Sequence, residues 1–244
     1  STQLIHVLPP EFQAGGTETL TKRLRDCAAR EEMRARMETG SDFENITLLV
    51  GFDNVVAIGL RTEEYRSFEG KSIAEIARAL GKDPFDTLFD LLAAEQCNTG
   101  MIDYISDEED LKAILRAPFS GVISDATYPG AGQVHPRVYG AFARLIETYV
   151  VREKVLTLEQ AVHKVTQQAA ERFSLAGKGK IEVGADADLL LFAPEKIRER
   201  GTYLTPKACA SGFDEVFVLG ERVIENGEYR GGSSGEMLGL RMEY

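Results

Sequence analysis

The spacing of apolar residues changes along the chain, and this change divides it into two parts. Up to about residue 177, runs with helical spacing alternate with short β-branched runs, which is typical of an α/β fold. From Gly177 onward glycines become frequent and the apolar runs shorten, as in small antiparallel sheets. We therefore predict an α/β domain over residues 1–177 and a small C-terminal β domain over residues 178–244.

Helices are predicted where a capping residue precedes apolar positions at helical spacing. Ser72 and Glu75 form a capping-box pattern. Asp83 followed by Pro84 predicts the start of the next helix. With the other starts, the predicted helices cover residues 17–37, 72–80, 83–92, 106–115, 138–151 and 157–173.

Short runs of β-branched and apolar residues predict the strands. In the first part they cover residues 46–50, 55–60, 99–105 and 121–124. In the second part they cover residues 189–192, 215–219 and 222–224. Asn226-Gly227, directly after the last of these, predicts a tight hairpin turn.

Composition limits the kinds of partner this protein can have. The 244 residues are 43% hydrophobic and carry a formal net charge of −11, which argues against nucleic-acid and anionic-membrane partners. The sequence has no apolar stretch of about 18 residues or more and no signal-peptide pattern, so we expect neither a membrane span nor a leader. The three cysteines are widely spaced, which favours a reducing compartment and a cytoplasmic protein.

The segment richest in chemistry runs from Ser124-Asp125 to His135-Pro136-Arg137. Asp125 follows the predicted strand over residues 121–124 and precedes a loop that contains glycine and proline. In α/β barrels, the loops at the carboxyl ends of the strands build the active site. From the residues alone, a turn or helix-capping role for this aspartate is equally compatible with the pattern.

Several segments resemble the N-acyl-D-amino-acid deacylase (D-aminoacylase) branch of the amidohydrolase superfamily. The most specific match is His135-Pro136-Arg137-Val138-Tyr139-Gly140-Ala141-Phe142, preceded by Ser124-Asp125. The stretch from Gly179 to Leu189 matches a Gly-x-x-x-x-Gly-Ala-x-Ala-Asp-Leu signature that many amidohydrolases share. Further matching segments are Leu8-Pro9-Pro10, Gly15-Gly16, Gly70-Lys71-Ser72 and Gly81-Lys82-Asp83-Pro84.

The resemblance covers nearly the whole chain but only the later part of the family's longer proteins. It implies the C-terminal part of a metal-dependent-hydrolase (β/α)8 barrel. The barrel part would carry a helical insertion at about residues 72–92 and would be followed by a small C-terminal β-sandwich segment.

The same resemblance implies a zinc-dependent hydrolase that cleaves N-acyl-D-amino acids to a D-amino acid and a carboxylate. Asp125 matches the aspartate that contacts the metal and takes a proton from water. Arg137 matches an arginine that binds the substrate carboxylate, Ser1 matches a serine near that carboxylate, and His135 is a candidate substrate contact. The family usually has glycine where Ala126 stands, and alanine would be strained there if φ were positive.

The family's histidine metal ligands have no counterpart here, since the three histidines of this chain are not paired at ligand spacing. We therefore expect the isolated chain neither to hold zinc stably nor to hydrolyse substrate. Half a barrel leaves sheet edges uncovered, which predicts a homo-oligomer or pairing with the missing N-terminal half. Two alternatives stay open: a non-catalytic remnant or association domain, and a cyclic amidohydrolase of the dihydroorotase or hydantoinase type.

Overall fold

The computed structural model describes residues 2–126, 134–203 and 205–238. Contacts divide them into two compact units. The first holds the described residues up to Ser106 together with residues 134–135, and the second holds the rest from Asp107 onward. This division does not coincide with the boundary predicted between residues 177 and 178, and the two-domain assignment stays a prediction.

The first unit packs short helices against a three-stranded sheet with the order β1-β3-β2. Every pairing in this sheet is antiparallel, and Gly100 of β3 lies opposite both Gln3 and Ile58. The elements are β1 (Thr2–Gln3), α1 (Pro10–Gln13), α2 (Gly16–Arg23), α3 (Cys27–Thr39), α4 (Ile46–Val50), β2 (Val55–Ile58), α5 (Ile73–Leu80), α6 (Pro84–Ala94) and β3 (Gly100–Asp103).

The core of this unit is formed where α5 and α6 turn their apolar faces toward each other and toward the sheet. Ile73 and Ile76 of α5 are buried, as are Leu88 and Leu91 of α6, because positions three or four apart share one face of a helix. This cluster also includes Tyr65 from the loop before α5. Burying such side chains contributes roughly 1.5–3 kcal/mol each.

The second unit combines helices with a four-stranded antiparallel sheet in the order β4-β5-β6-β7. Asn226 and Gly227 both have positive φ between β6 and β7, which confirms the predicted hairpin turn. The elements are α7 (Glu108–Arg116), α8 (Arg137–Arg144), a π-helical segment (Leu145–Arg152), α9 (Leu158–Val165), α10 (Gln167–Arg172), β4 (Leu189–Phe192), β5 (Phe213–Val218), β6 (Glu221–Glu225) and β7 (Glu228–Tyr229).

The helix starts that were predicted from a capping residue at Ser72, Asp83 and Thr157 are confirmed by the structure. Ser72 and Thr157 each form a complete capping box, with Glu75 and Gln160 as the partners. Asp83 accepts hydrogen bonds from the first turn of α6, which begins at Pro84. These contacts satisfy backbone N–H groups that have no partner inside the helix.

The single helix predicted over residues 17–37 is wrong, because the chain forms α2 and α3 with a break between them. Asp26 causes the break, since its side chain accepts a hydrogen bond from the Ala29 backbone N–H at 2.9 Å and so starts a new helix. The predicted helix over residues 157–173 is likewise divided, at Thr166, into α9 and α10.

The strand predicted over residues 46–50 is also wrong, and the segment is the helix α4. Asn45 caps it by accepting from the Leu48 backbone N–H at 3.2 Å, and donates to the Met37 carbonyl at 2.7 Å. Gly51 ends the helix with φ of +74°. A β-branched run therefore becomes helical because a buried asparagine fixes its start.

Residues 121–124 form no strand, and no described strand pairs with them, so this prediction is wrong too. A barrel strand needs hydrogen-bonded neighbours on both sides, and all pairings among the described strands are antiparallel. The fold is mixed α/β, whereas the barrel portion, the insertion at about residues 72–92 and the β-sandwich are not confirmed. No described helix is long and apolar enough to cross a membrane.

Replacing the cap that separates α2 from α3 should destabilise the first unit. For Asp26→Ala we expect a loss of about 1 kcal/mol in the free energy of unfolding, measured by urea denaturation with circular dichroism. Asp26→Asn should retain most of the stability because the amide oxygen also accepts. Glu31→Ala, at an exposed position in the same helix, is the control, and an equal loss there would contradict the capping role.

Candidate functional site

The segment that carries Asp125 is extended and alternates in burial. Val122 is half-buried and packs against the core of the second unit, while Ile123 is exposed. Asp125 is exposed as well. The backbone thus presents the aspartate side chain to solvent while a neighbouring apolar side chain holds the segment to the protein.

Asp125 has a left-handed backbone, with φ of +45°. Aspartate tolerates this conformation better than most residues because its short side chain bonds locally. Ala126 has no positive φ, so the strain expected at the alanine falls on the aspartate instead. The Ala126 backbone N–H donates to the Ser124 hydroxyl at 3.3 Å, which closes a small turn around Asp125.

Asp125 and Arg137 form an ion pair. The guanidinium Nη2 lies 2.6 Å from the carboxylate Oδ2, and the two side chains are 28% and 65% exposed respectively. The structure therefore brings together Asp125 and Arg137, two of the three residues of this segment with predicted chemical roles. A pair this open to water adds little to stability, on the order of 0–1 kcal/mol.

Helix α8 begins at Arg137 and is fixed in the second unit by Glu199. The Arg144 guanidinium lies 3.3 Å from the Glu199 carboxylate. A Cβ on Gly140 would meet the Glu199 side chain at 2.9 Å, so only glycine allows this close approach without displacement. The Glu199 backbone N–H donates to the Glu147 carboxylate at 2.6 Å. These contacts fix the orientation of α8 and therefore the position of Arg137, its first residue.

Burial raises the pKa of Glu199 above its ordinary value, although the nearby Arg144 guanidinium lowers it. Glu147 adds a like charge that raises the pKa further. This carboxyl therefore binds its proton more tightly in the folded chain than in the unfolded chain.

The other two predicted site residues are Ser1 and His135. Ser1 lies outside the described residues, as does the loop over residues 127–133. His135 is half-buried and groups with the first unit. A cavity of about 480 Å³ lies in the first unit, and His6, Glu44 and Asp103 contribute to its lining.

A hydrolytic zinc site typically needs about three protein ligands and an open position for water. Within residues 2–126, 134–203 and 205–238, no group of three histidine, cysteine or carboxylate side chains could hold a metal ion. Asp125 can supply one ligand at most. The described part of this chain therefore does not fit a catalytic zinc ion by itself.

A sequence profile of the amidohydrolase family matches residues 41–207, which is more than half of the chain. The chain belongs to the amidohydrolase family. It is 35% identical to an N-acyl-D-glutamate deacylase of Alcaligenes xylosoxydans xylosoxydans over 62% of this chain and 30% of that protein. It is 32% identical to a D-aminoacylase of the same organism over 71% of this chain and 35% of that protein.

A solved structure of N-acyl-D-glutamate deacylase from Bordetella bronchiseptica, complexed with zinc and a phosphonate that mimics the tetrahedral intermediate, is also similar. The TM-score is 0.63 at 30% identity, over 73% of this chain and 36% of that one. This amidohydrolase chain thus spans about a third of the length of its relatives. The family and the likeness to D-aminoacylases, which we inferred from sequence motifs, are confirmed.

Two charged residues that contact the elements around Asp125 and Arg137 in this amidohydrolase chain were not identified from the sequence. Glu199 lies outside every motif, and no sequence signal points to its contact with α8. Lys164 is buried on α9, and its position three residues after the buried Ala161 is a signal that could have placed it on the inner face.

The raised pKa of Glu199 has a measurable effect on stability. Because the folded pKa exceeds the unfolded value of about 4.5, stability from this group falls as pH rises from there through the folded pKa. Glu199→Gln should remove this slope while its amide still contacts Arg144. Urea denaturation at several pH values would show the variant gaining stability relative to the parent protein as pH rises.

The control for this pH series is Glu195→Gln, an exposed carboxyl in the same segment. Its stability should follow the pH dependence of the parent protein. If Glu199→Gln and the parent protein had identical pH dependence, the half-buried carboxyl of Glu199 would not be protonated preferentially in the folded state.

Proposed function

We propose that this chain contributes a proton-accepting carboxylate and a substrate clamp to a zinc-dependent amidohydrolase that cleaves N-acyl-D-amino acids. The products would be a D-amino acid and a carboxylate. The observation that carries the proposal is the contact between Asp125 and Arg137 at 2.6 Å, in a family whose similar members are named as deacylases of such substrates.

Asp125 is proposed as the general base. Its carboxylate is exposed and accepts a proton from water as the water attacks the amide carbonyl, then returns the proton to the leaving nitrogen. We also propose it as a metal contact, with the remaining ligands supplied from outside this chain, because the described residues lack a complete donor set. The chain alone is then expected to hold no catalytic zinc and to be inactive.

Arg137 is proposed as the clamp for the substrate carboxylate. A guanidinium binds carboxylates through parallel N–H donors, and the contact with Asp125 shows that one N–H edge already faces an acid group. A substrate carboxylate would exchange with Asp125 on the guanidinium and leave that aspartate to act on water. Ser1 and His135 remain proposed substrate contacts.

Association with another polypeptide is part of the proposal. The second unit exposes large apolar side chains that a solitary protein would bury, and β4 is an edge strand with three exposed leucines. The partner would be a second copy of this chain or the missing N-terminal half. The exposed side chains are Phe119, Ile123, Phe173, Ile181, Val183, Leu189, Leu190 and Leu191.

A second candidate function is a non-catalytic remnant that acts by association. The incomplete donor set among the described residues favours it. The DNA upstream of the Ser1 codon discriminates the two functions: an in-frame segment with a His-x-His pair supports the enzyme, and a start codon at that point supports the remnant.

The catalytic proposal predicts how two substitutions change hydrolysis of N-acetyl-D-amino acids by a longer polypeptide, loaded with zinc, that joins this chain to an in-frame N-terminal segment carrying a His-x-His pair. Asp125→Asn should lower kcat by about 100-fold or more, because the amide cannot accept the proton. Arg137→Gln should instead raise KM by roughly 10-fold or more, because it removes a charged hydrogen bond to the substrate. Both are measured by release of the free D-amino acid.

The 244-residue chain, with zinc added, is the matched control and should show no turnover. Robust hydrolysis by this chain alone would overturn the proposed division of the site. Unchanged kcat in Asp125→Asn would remove this aspartate from the mechanism.

The exposed apolar surface predicts self-association of the chain when it is expressed alone. Size-exclusion chromatography with light scattering should give a mass above the 26.9 kDa of one chain. Leu190→Lys on the edge strand should shift the distribution toward the monomer, because a charge there opposes pairing of strand edges. A strictly monomeric parent chain would contradict the prediction.

A further inference from the structure

Lys164 is a lysine with a buried side chain. It lies on α9 with only 5% of its surface exposed, which is rare for this residue type. Its Nζ donates to the Ala117 carbonyl at 2.7 Å, to the Ser120 carbonyl at 2.8 Å and to the Ser120 hydroxyl at 3.0 Å. Each N–H of the ammonium group therefore has an acceptor.

The partners of this ammonium group lie at and just beyond the end of a helix, and no described salt bridge includes Lys164. Helix α7 ends at Arg116 with Ala117 as its C-cap, so the Ala117 carbonyl lies at the negative end of the helix dipole, and Ser120 lies in the turn that follows. Burial lowers the pKa of Lys164, which reflects the cost of removing the charge from water. The three hydrogen bonds offset that cost only while the turn keeps its geometry.

The turn over residues 117–120 is held by further contacts. The Ser120 hydroxyl lies 2.6 Å from the Ile114 carbonyl and 2.9 Å from the Ala117 carbonyl, and its single proton is shared between these two acceptors. Gln168, one turn after Lys164, donates to the Pro118 carbonyl at 3.3 Å and to the Ser120 carbonyl at 3.2 Å. Side chains from α9 and α10 thus fix the turn from the outside.

The segment that carries Asp125 starts where this turn ends. Residues 121–126 have no strand partner, so their placement depends on few contacts. The turn holds one end, Val122 packs on the core, and the carboxylate of Asp125 meets Arg137 at the other end. A shift of the turn would move the aspartate relative to α8.

We propose that Lys164 is a positioning residue, whose buried ammonium fixes the turn over residues 117–120 and thereby sets where Asp125 meets Arg137. The proposal rests on the proposed function for the chemical role of Asp125. The positioning itself does not depend on hydrolysis and can be measured in the chain alone.

The structural test uses nitrogen-15 relaxation of the 244-residue chain. In the parent protein, backbone order parameters over residues 119–126 should be near about 0.85. In Lys164→Met, which keeps an unbranched side chain one atom shorter and cannot donate, they should fall below about 0.6, while those of α9 stay unchanged. Lys164→Arg keeps the charge and the donors and should restore most of the order.

Two further variants keep the test decisive. Lys112→Met removes an ammonium group of the same unit that pairs with Glu109 and Glu153 and does not contact the turn, so it should leave residues 119–126 ordered. Ser120→Ala removes one of the three acceptors and should give an intermediate loss of order even if Lys164→Met fails to fold. Unchanged order in both Lys164→Met and Ser120→Ala would overturn the proposal, as would an equal loss in Lys112→Met.

A kinetic test separates this inference from the proposed function. In the longer in-frame polypeptide, Lys164→Met should lower kcat about tenfold or more with KM nearly unchanged, because the base is displaced and the Arg137 clamp is not. Lys164→Arg should recover most of kcat. If Asp125→Asn abolishes turnover and Lys164→Met does not change it, the positioning role fails and the function stands; if Asp125→Asn has no effect, the function itself fails.

Discussion

Backbone hydrogen bonding at the ends of short elements is the constraint on which this structure depends. The longest described helix has 13 residues, and each helix leaves N–H and carbonyl groups without partners at its ends. Side chains cap the starts of α3, α4, α5, α6, α7 and α9. Asp26 and Asn45 cap helix starts, and the buried Glu95 accepts from backbone N–H groups of Arg61 and Thr62. The same requirement explains why an ammonium group is buried beside the end of α7.

The sequence predicts these contacts where donor and acceptor are close along the chain. The capping box at Ser72, the helix start at Thr157 and the hairpin at Asn226-Gly227 follow from neighbouring residues, and all three are confirmed. The segment over residues 46–50 has an ambiguous apolar pattern, and the bonds of Asn45 to α3 settle it as a helix. The spacing of apolar residues gives no information about that contact between distant residues. The prediction of a strand was wrong for this reason.

In the candidate site, too, contacts between residues close along the chain were predictable and contacts between distant residues were not. Asp125 and Arg137 were identified because the motif lies within one continuous stretch, and their contact is now observed. The residues that orient them come from distant parts of the chain: Glu199 against α8 and Lys164 against the turn before Asp125. Neither has a motif of its own, because their roles arise only when the helices pack. The motif identifies the candidate pair, and the packing gives its geometry.

The left-handed backbone at Asp125 limits which amino acids evolution can sample there. Glycine, asparagine and aspartate adopt this conformation at low cost, whereas glutamate, the other carboxylate, does not. Aspartate is thus the carboxylate residue that this backbone accepts at low cost. Replacing it by glutamate would change the backbone as well as the reach of the carboxylate, so the two acids are not interchangeable at this position.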